Sequence, residues 1–292
     1  MIDVHSHVPT HRDRVPEDEA VVNSAWRPDG AVTATTTWDD YAEAFQDVEV
    51  SVAFTIARDR TRVDGALNDA VAAFVAAAPD RRIGFLSIHP EVDGAEDELR
   101  RARELGLKGI KLGPNYQVFD PLGPAALRIY ELAERHGLPI LLHQGASPVR
   151  EAPLRFAHPL VMDEVAIRFP ELRVVMAHMG HPWQRETIVT IRKHPHVYAD
   201  VSALFYRPWT FYEGMRLATE WGVLDKLLFG SDFPVATPAE TAAGLRAVND
   251  PIAGTALPPV PLGAIEEIIA RDPLPLLGID RPQNLLLARE QR

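Results

Sequence analysis

A chain of 292 residues is long for one domain, yet α/β barrels commonly fill this length as a single unit. Its 41 acidic against 30 basic residues leave a net charge of −11 with no basic block, so nucleic acid and anionic membrane surfaces have no electrostatic support as partners. Cysteine is absent, which excludes disulfides, thiolate nucleophiles and Cys-held zinc and leaves His and carboxylate as the ligands for any metal.

The remaining composition points to an ordinary globular protein. The hydrophobic fraction is 46%, and no apolar run approaches the ~18 residues a membrane span needs. The first residues lack the basic and apolar regions of a secretory signal. The expectation is a cytoplasmic protein acting on a small molecule, with no nucleic-acid or membrane partner.

In chain order, the first apolar segment is Ile2–His7, containing Asp3-Val4-His5-Ser6-His7. As a β-strand it would put Asp3, His5 and His7 on one face. Two imidazoles from one strand make half of a metal site. The stretch from Val8 to about Val50 is polar and broken by Pro9, Pro16, Pro28 and Gly30, and loops this long in compact domains are usually functional or disordered. It reads as a lid over residues 8–50, containing a Thr37-capped helix, Trp38–Phe45.

From Ser51 a rhythm begins. Apolar runs at Ser51–Ala57, Ile83–His89, Gly109–Gly113, Pro139–Gly145, Val174–Gly180, Val197–Ala203 and Leu227–Phe233 alternate with stretches of helical periodicity. Those are Leu67–Ala78, Ala95–Leu105, Ala125–His136, Met162–Phe169, Trp183–Lys193 and Trp209–Trp221. With Ile2–His7 the runs number eight, and alternation of this kind calls for parallel strands joined by crossover helices. The predicted fold is therefore an α/β (β/α)8 barrel, one domain over residues 1–292. An open doubly wound sheet is the competing reading, but neither Gly-x-Gly-x-x-Gly nor a P-loop is present. The Pro-rich tail from Thr237 would supply the last barrel helix, and residues 250–292 a helical extension covering one end.

In such a barrel the functional groups sit at the C-terminal ends of the strands. Here those ends read His5-Ser6-His7, His89, Lys111, His143-Gln144-Gly145, His178-Met179-Gly180 and Ser231-Asp232-Phe233-Pro234. Taken singly, His143 and His178 could equally be hydrogen-bonded core residues. Their recurrence at one end of several strands favours a site. Asp232 follows Leu227-Leu228-Phe229-Gly230-Ser231, where a carboxylate is costly to bury without a cation; a helix cap is the bland alternative. His89 and His158 precede proline and could only shape turns, His181 could line the pocket, and His11, His136, His194 and His196 read as lid or surface. Arg150, Arg155 and Arg207 follow strands five and seven and could bind a substrate carboxylate, although loop arginines are more often solvated.

These segments resemble the amidohydrolase superfamily. The resemblance rests on Asp3-Val4-His5-Ser6-His7, Gly109-Ile110-Lys111-Leu112, Leu142-His143-Gln144-Gly145, Ala177-His178-Met179-Gly180 and Gly230-Ser231-Asp232-Phe233-Pro234, in that order, and it runs from residue 2 to about Asn284. Within the superfamily the chain looks most like the branch containing aminocarboxymuconate-semialdehyde decarboxylase and gamma-resorcylate decarboxylase. The likeness implies one divalent ion, usually zinc and sometimes manganese, held by His5, His7, His143 and Asp232. His178 would be a nearby acid or base and Asp232 a proton acceptor as well as a ligand; Asp3, ahead of the ligands on the face expected for them, would orient them. In two-metal relatives the lysine corresponding to Lys111 is carboxylated and bridges both ions; one metal is the expectation here, with Lys111 instead an ion-pair or substrate-anchoring group. The branch implies hydrolysis of an amide, lactone or ester by metal-activated water, or else non-oxidative decarboxylation of an aromatic or unsaturated acid. Homodimers are frequent among such enzymes and are the expected assembly. A barrel that binds without catalysing is the reading from another class, and the intact ligand set argues against it.

Overall fold

The computed structural model describes residues 1–9, 26–30, 32 and 36–282. Eight strands, β1 Ile2–His7, β2 Val50–Phe54, β3 Arg82–Ser87, β4 Gly109–Leu112, β5 Ile140–Leu142, β6 Val174–Met176, β7 Val197–Asp200 and β8 Leu227–Leu228, pair side by side in sequence order. All the pairings are parallel. The last strand returns to the first through Val4 N–H to Phe229 O at 3.0 Å, Asp232 N–H to His5 O at 2.8 Å and His7 N–H to Phe233 O at 2.9 Å. The (β/α)8 barrel expected from the strand–helix alternation is thus present.

Eleven α-helical segments are described: α1 Trp38–Ala44, α2 Gly65–Ala76, α3 Ala95–Glu104, α4 Pro114–Gln117, α5 Pro124–His136, α6 Val161–Arg168, α7 Gln184–Lys193, α8 Pro208–Glu220, α9 Pro238–Arg246, α10 Leu262–Ala270 and α11 Leu274–Leu277. Their ends follow local chemistry. Thr37 with Asp40 and Thr237 with Glu240 form capping boxes at the starts of α1 and α9, while Gly137, at φ +64°, closes α5 in the left-handed conformation that costs glycine least.

The period-2 alternation of the strands sorts their side chains into two cores. Val52, Phe54, Phe85, Leu141, Val175 and Leu228 fill the barrel, and Leu274, Leu277 and Ile279 join them from α11, closing the end opposite the site. Residues of the other face, such as Leu86, Ile110, Leu112, Leu142 and Met176, pack with Leu99, Ile129, Ile191 and Met215 from the helices. Each fully buried aliphatic side chain contributes roughly 1.5–3 kcal/mol, which is why the strands read as unbroken apolar runs.

Two expectations need correction. The helix assigned to the lid is wall: Tyr41 of α1 lies on the outside of β1, its hydroxyl 2.8 Å from Ser6 Oγ, and meets Phe74 of α2 edge-on. Its apolar face is covered by the barrel, so it cannot hang over the mouth. Residues 10–25, 31 and 33–35 of the expected lid, and His11 with them, lie outside the described residues. Asp3 does not share the face of His5 and His7. The β1–β2 register runs Asp3↔Ser51 and then Ser6↔Ala53, so one extra residue is accommodated in β1. Ile2 and Val4 therefore belong to the barrel interior, and the bulge turns His5 inward immediately after Val4.

Candidate active site

The strands stop earlier than their apolar runs. β5 ends at Leu142, β6 at Met176 and β8 at Leu228, so His143, His178 and Asp232 stand just past the strands, with His143 N–H still on Leu112 O at 2.8 Å and Asp232 N–H on His5 O at 2.8 Å. His178 and Met179 have φ of +57° and +46°, and Asp232 has +62°. Holding non-glycine residues there costs about 1–3 kcal/mol each, a cost found most often at functional sites. Each turn aims a side chain back over the barrel mouth.

His5, His7, Lys111, His143, His178, His181, Arg207 and Asp232 all line one pocket at that mouth. Asp232 Oδ1 lies 3.2 Å from Nε2 of His5 and 3.2 Å from Nε2 of His7. Burial would raise the Asp232 pKa, but the two imidazoles outweigh it and hold the carboxyl well below its usual range. Lys111, fully buried, places Nζ 3.4 Å from His5 Nε2 and 4.4 Å from the centre of the Phe54 ring. Burial drags its pKa down to about 8 against the attraction of Asp232 and Asp200.

His143 lies close by but faces differently. Its ring centre is 5.1 Å from that of His178, and its Nε2 is directed to Ala146 O at 3.2 Å. Burial, then the neighbouring His178 and Lys111, depress its pKa well below the ordinary imidazole value.

Two residues that the sequence reading passed over organise the site. Asp200, the last residue of β7, is buried and accepts from His5 Nδ1–H at 2.9 Å, from His178 N–H at 3.0 Å, from Ser202 N–H at 3.1 Å and from the Ser202 hydroxyl. Burial opposes its ionisation, yet His5 and these donors keep its pKa far below the usual value. Ser202 Oγ in turn lies 2.8 Å from His178 Nδ1. The signal was available: Val197–Asp200 alternates, and Asp200 stands at the strand end where functional groups gather. Trp26, Arg58, Tyr116 and Tyr206 also line the mouth and were not singled out either.

The other candidates separate cleanly. Arg150 is exposed and is not among the pocket-lining residues, and Arg155 stacks on Phe156. His89 is held by Gln117 O at 2.7 Å, as a turn-shaping residue would be. His194 pairs with Asp163 at 2.6 Å.

The donor set fits a divalent cation. Ligand atoms of His5, His7 and Asp232 lie within 4.8 Å of one another. Bonds of ~2.1 Å at tetrahedral angles would set neighbouring ligand atoms ~3.4 Å apart, close to the 3.2 Å separations of the two Nε2 atoms from Asp232 Oδ1. Asp200 on His5 Nδ1 also fixes the tautomer that leaves Nε2 with its lone pair facing the centre, the usual outer partner of a ligating histidine. A second grouping, His5, His178 and Asp200, is instead a hydrogen-bonded network whose facing atoms already have partners.

A parallel (β/α)8 barrel with a candidate His/Asp metal site at the C-terminal strand ends has the layout of a barrel enzyme. The amidohydrolase family model matches residues 2–260, and the chain belongs to that family. Solved structures of the same fold include an uncharacterised TIM-barrel protein from Bordetella bronchiseptica, with TM-score 0.68 and 20% identity over 100% of this chain and 99% of that one. A dihydroxybenzoic acid decarboxylase from Polaromonas sp. JS666 with bound manganese and 2-nitroresorcinol follows, with TM-score 0.63 and 17% identity over 97% and 98%. A probable 2-pyrone-4,6-dicarboxylic acid hydrolase from Acinetobacter baumannii with bound citric acid has TM-score 0.62 and 17% identity over 95% and 99%. Among the described residues no helix is long and apolar enough to cross a membrane.

Proposed function

We propose that this chain hydrolyses an amide, lactone or ester bond of a small molecule, with His178 as the general base. One divalent ion, zinc or manganese, would be held by His5, His7 and Asp232, with His143 turning from Ala146 O to complete the set. When bound, such an ion supplies Lewis acidity to a coordinated oxygen.

The observation that carries the reading is the chain of hydrogen bonds behind His178. Ser202 gives its hydroxyl hydrogen to Asp200 Oδ1, so its oxygen is left to accept from His178 Nδ1–H at 2.8 Å. His178 is thereby set in the Nδ1–H tautomer, and its Nε2 lone pair is the one left to the pocket. Burial also holds its pKa down to about 4, which keeps the ring neutral near pH 7. A neutral imidazole with a fixed lone pair can accept a proton from water, as a weaker base than one with a pKa near 7, and it has no proton on that nitrogen to deliver to carbon. Decarboxylation ends by protonating carbon, so this arrangement favours hydrolysis over the reaction named for the Polaromonas relative.

The test is protein reconstituted with zinc or manganese and assayed against lactones, amides, esters and hydroxybenzoates, with acid release and carbon dioxide measured separately. Hydrolysis by wild type, with His178→Asn retaining metal and losing at least ~100-fold in kcat, is the expected outcome. Carbon dioxide release without hydrolysis would assign the site to the decarboxylases.

A further inference from the structure

A second imidazole at the mouth has the opposite polarity. His181 lines the pocket beyond the turn of His178, and its Nδ1 lies 3.0 Å from Nε2 of Gln184, the first residue of α7. An amide nitrogen can only donate, so Nδ1 must accept, and the ring proton stands on Nε2. The backbone that carries the ring is held from two further sides. Its carbonyl oxygen accepts Ala146 N–H at 2.7 Å and its N–H donates to His178 O at 2.9 Å. Gly145 comes so close that a Cβ there would stand 2.1 Å from His181 O. The side chain is thus mounted on a tightly packed junction between the β5 and β6 turns.

The geometry points to His181 as an electrophilic catalytic residue: its Nε2–H donates to the substrate acyl oxygen and stabilises the negative charge that develops there while His178 Nε2 takes the proton of the attacking water. This role rests on the hydrolytic reading above. The balance is simple. A water O–H bond breaks with its proton passing to His178, an O–C bond forms, and the carbonyl π pair moves onto the oxygen facing His181. The proton of His181 stays on His181, because a neutral imidazole that gave it up would become an unstable imidazolate. Burial and the nearby Arg207 push its pKa down to about 4, so the donor is neutral. A neutral imidazole can polarise a carbonyl without surrendering its proton, and the Gln184 amide nitrogen on Nδ1 enforces the donor form. Two histidines three residues apart in sequence would thereby divide the work, one accepting and one donating, each fixed by the partner of its Nδ1.

Long-range 1H–15N spectra of histidine-labelled protein read the tautomer without activity or variants. The Nε2–H form is expected at His181 and the Nδ1–H form at His178. An Nδ1–H signal at His181 overturns the assignment. In kinetics His181→Leu should lose about a hundredfold in kcat with KM and metal content nearly unchanged, and His181→Gln, whose amide can donate from a similar place, should recover part of it. A rise in KM at unchanged kcat would reduce His181 to a binding contact and overturn the role, as would full activity of His181→Leu. If wild-type protein hydrolyses nothing on the panel, the hydrolytic reading falls and this role with it; if wild type turns over and the variants match it, the role alone falls.

Discussion

Asp200→Asn is the perturbation with the most informative geometry. The carboxylate accepts three hydrogen bonds at Oδ1, from His178 N–H, Ser202 N–H and the Ser202 hydroxyl, and one at Oδ2, from His5 Nδ1–H at 2.9 Å. An asparagine has one acceptor atom and one donor group. Placing the amide nitrogen in the Oδ1 position would set it against three donors, two of them immobile backbone N–H groups, so the amide settles with its nitrogen toward His5. That nitrogen donates, His5 Nδ1 must become an acceptor, and the ring proton moves to Nε2, the atom facing His7 and Asp232. A protonated Nε2 cannot ligate. Loss of such an outer partner typically costs 10–100-fold in metal affinity, or about 1.4–2.8 kcal/mol. Competition of zinc against a chromophoric chelator measures it, with circular dichroism as the check on folding. Ser202→Ala is the matched control, since it spares the 2.9 Å Asp200–His5 contact, giving up only a 3.3 Å approach of Oγ to His5 Nδ1, and leaves His178 Nδ1 with the backbone oxygen at 3.3 Å in place of the 2.8 Å hydroxyl: metal affinity should hold while kcat falls. Wild-type zinc affinity in a folded Asp200→Asn protein would refute the tautomer reasoning.

Further outcomes follow from single residues. His143→Ala should lower both metal content and turnover, whereas full stoichiometric metal would leave three protein ligands; metal analysis of wild type should give one equivalent per chain, and two would instead point to a carboxylated Lys111. Burial pushes the Asp3 carboxyl from an ordinary 3.8 up to about 7, so between those values the folded state keeps a proton that the unfolded state has released, and stability falls as pH rises through that window. Asp3→Asn retains the acceptor for His5 N–H and Ser231 N–H without the charge, and denaturant unfolding should show its advantage over wild type growing from near zero below pH 4 to at most on the order of 4 kcal/mol above pH 7; an advantage that does not vary with pH would contradict this. Gly145→Ala combines φ of +98° with a Cβ 2.1 Å from His181 O and should cost at least ~2 kcal/mol, seen as a Tm lower by roughly 4–8 °C.

The barrel and most of the pocket were legible because both depend on patterns of period. Alternating strand and helix signals fixed eight units, and six of the strand ends were marked by His, Lys or Asp following an apolar run. What the pattern could not carry was local offset. The extra residue in β1 leaves no mark in Asp3-Val4-His5-Ser6-His7, since the strict alternation that would place Asp3 beside His5 looks the same with or without a bulge. Trp38–Ala44 was misplaced for a related reason: amphipathicity shows that a helix has a buried face but not whether barrel wall or mouth covers it. Asp200 was less legible because β7, Val197–Asp200, carries no imidazole to mark its end as metal-binding.

The distribution of protons decides what the histidines can do, and that distribution is set a residue away from each of them. His5, His178 and His181 carry the same side chain and line one pocket, yet Asp200, Ser202 and Gln184 fix their Nδ1 atoms in two different ways. The first two leave a lone pair on Nε2 and the third leaves a proton there. Asp200 serves two of the three, directly at His5 and through Ser202 at His178, so a change at this one carboxylate couples the metal-facing ring to the proton-accepting ring. Substitutions at His5 and His178 should therefore be non-additive while Asp200 is intact. In an Asp200→Asn background the amide oxygen still accepts the Ser202 hydroxyl and His178 keeps its tautomer, whereas in an Asp200→Ala background that acceptor is gone and the further loss from His178→Asn should shrink by ~10-fold or more. Strictly additive losses in that double-mutant cycle would mean that the two histidines are oriented separately and that Asp200 is only a strand-end cap.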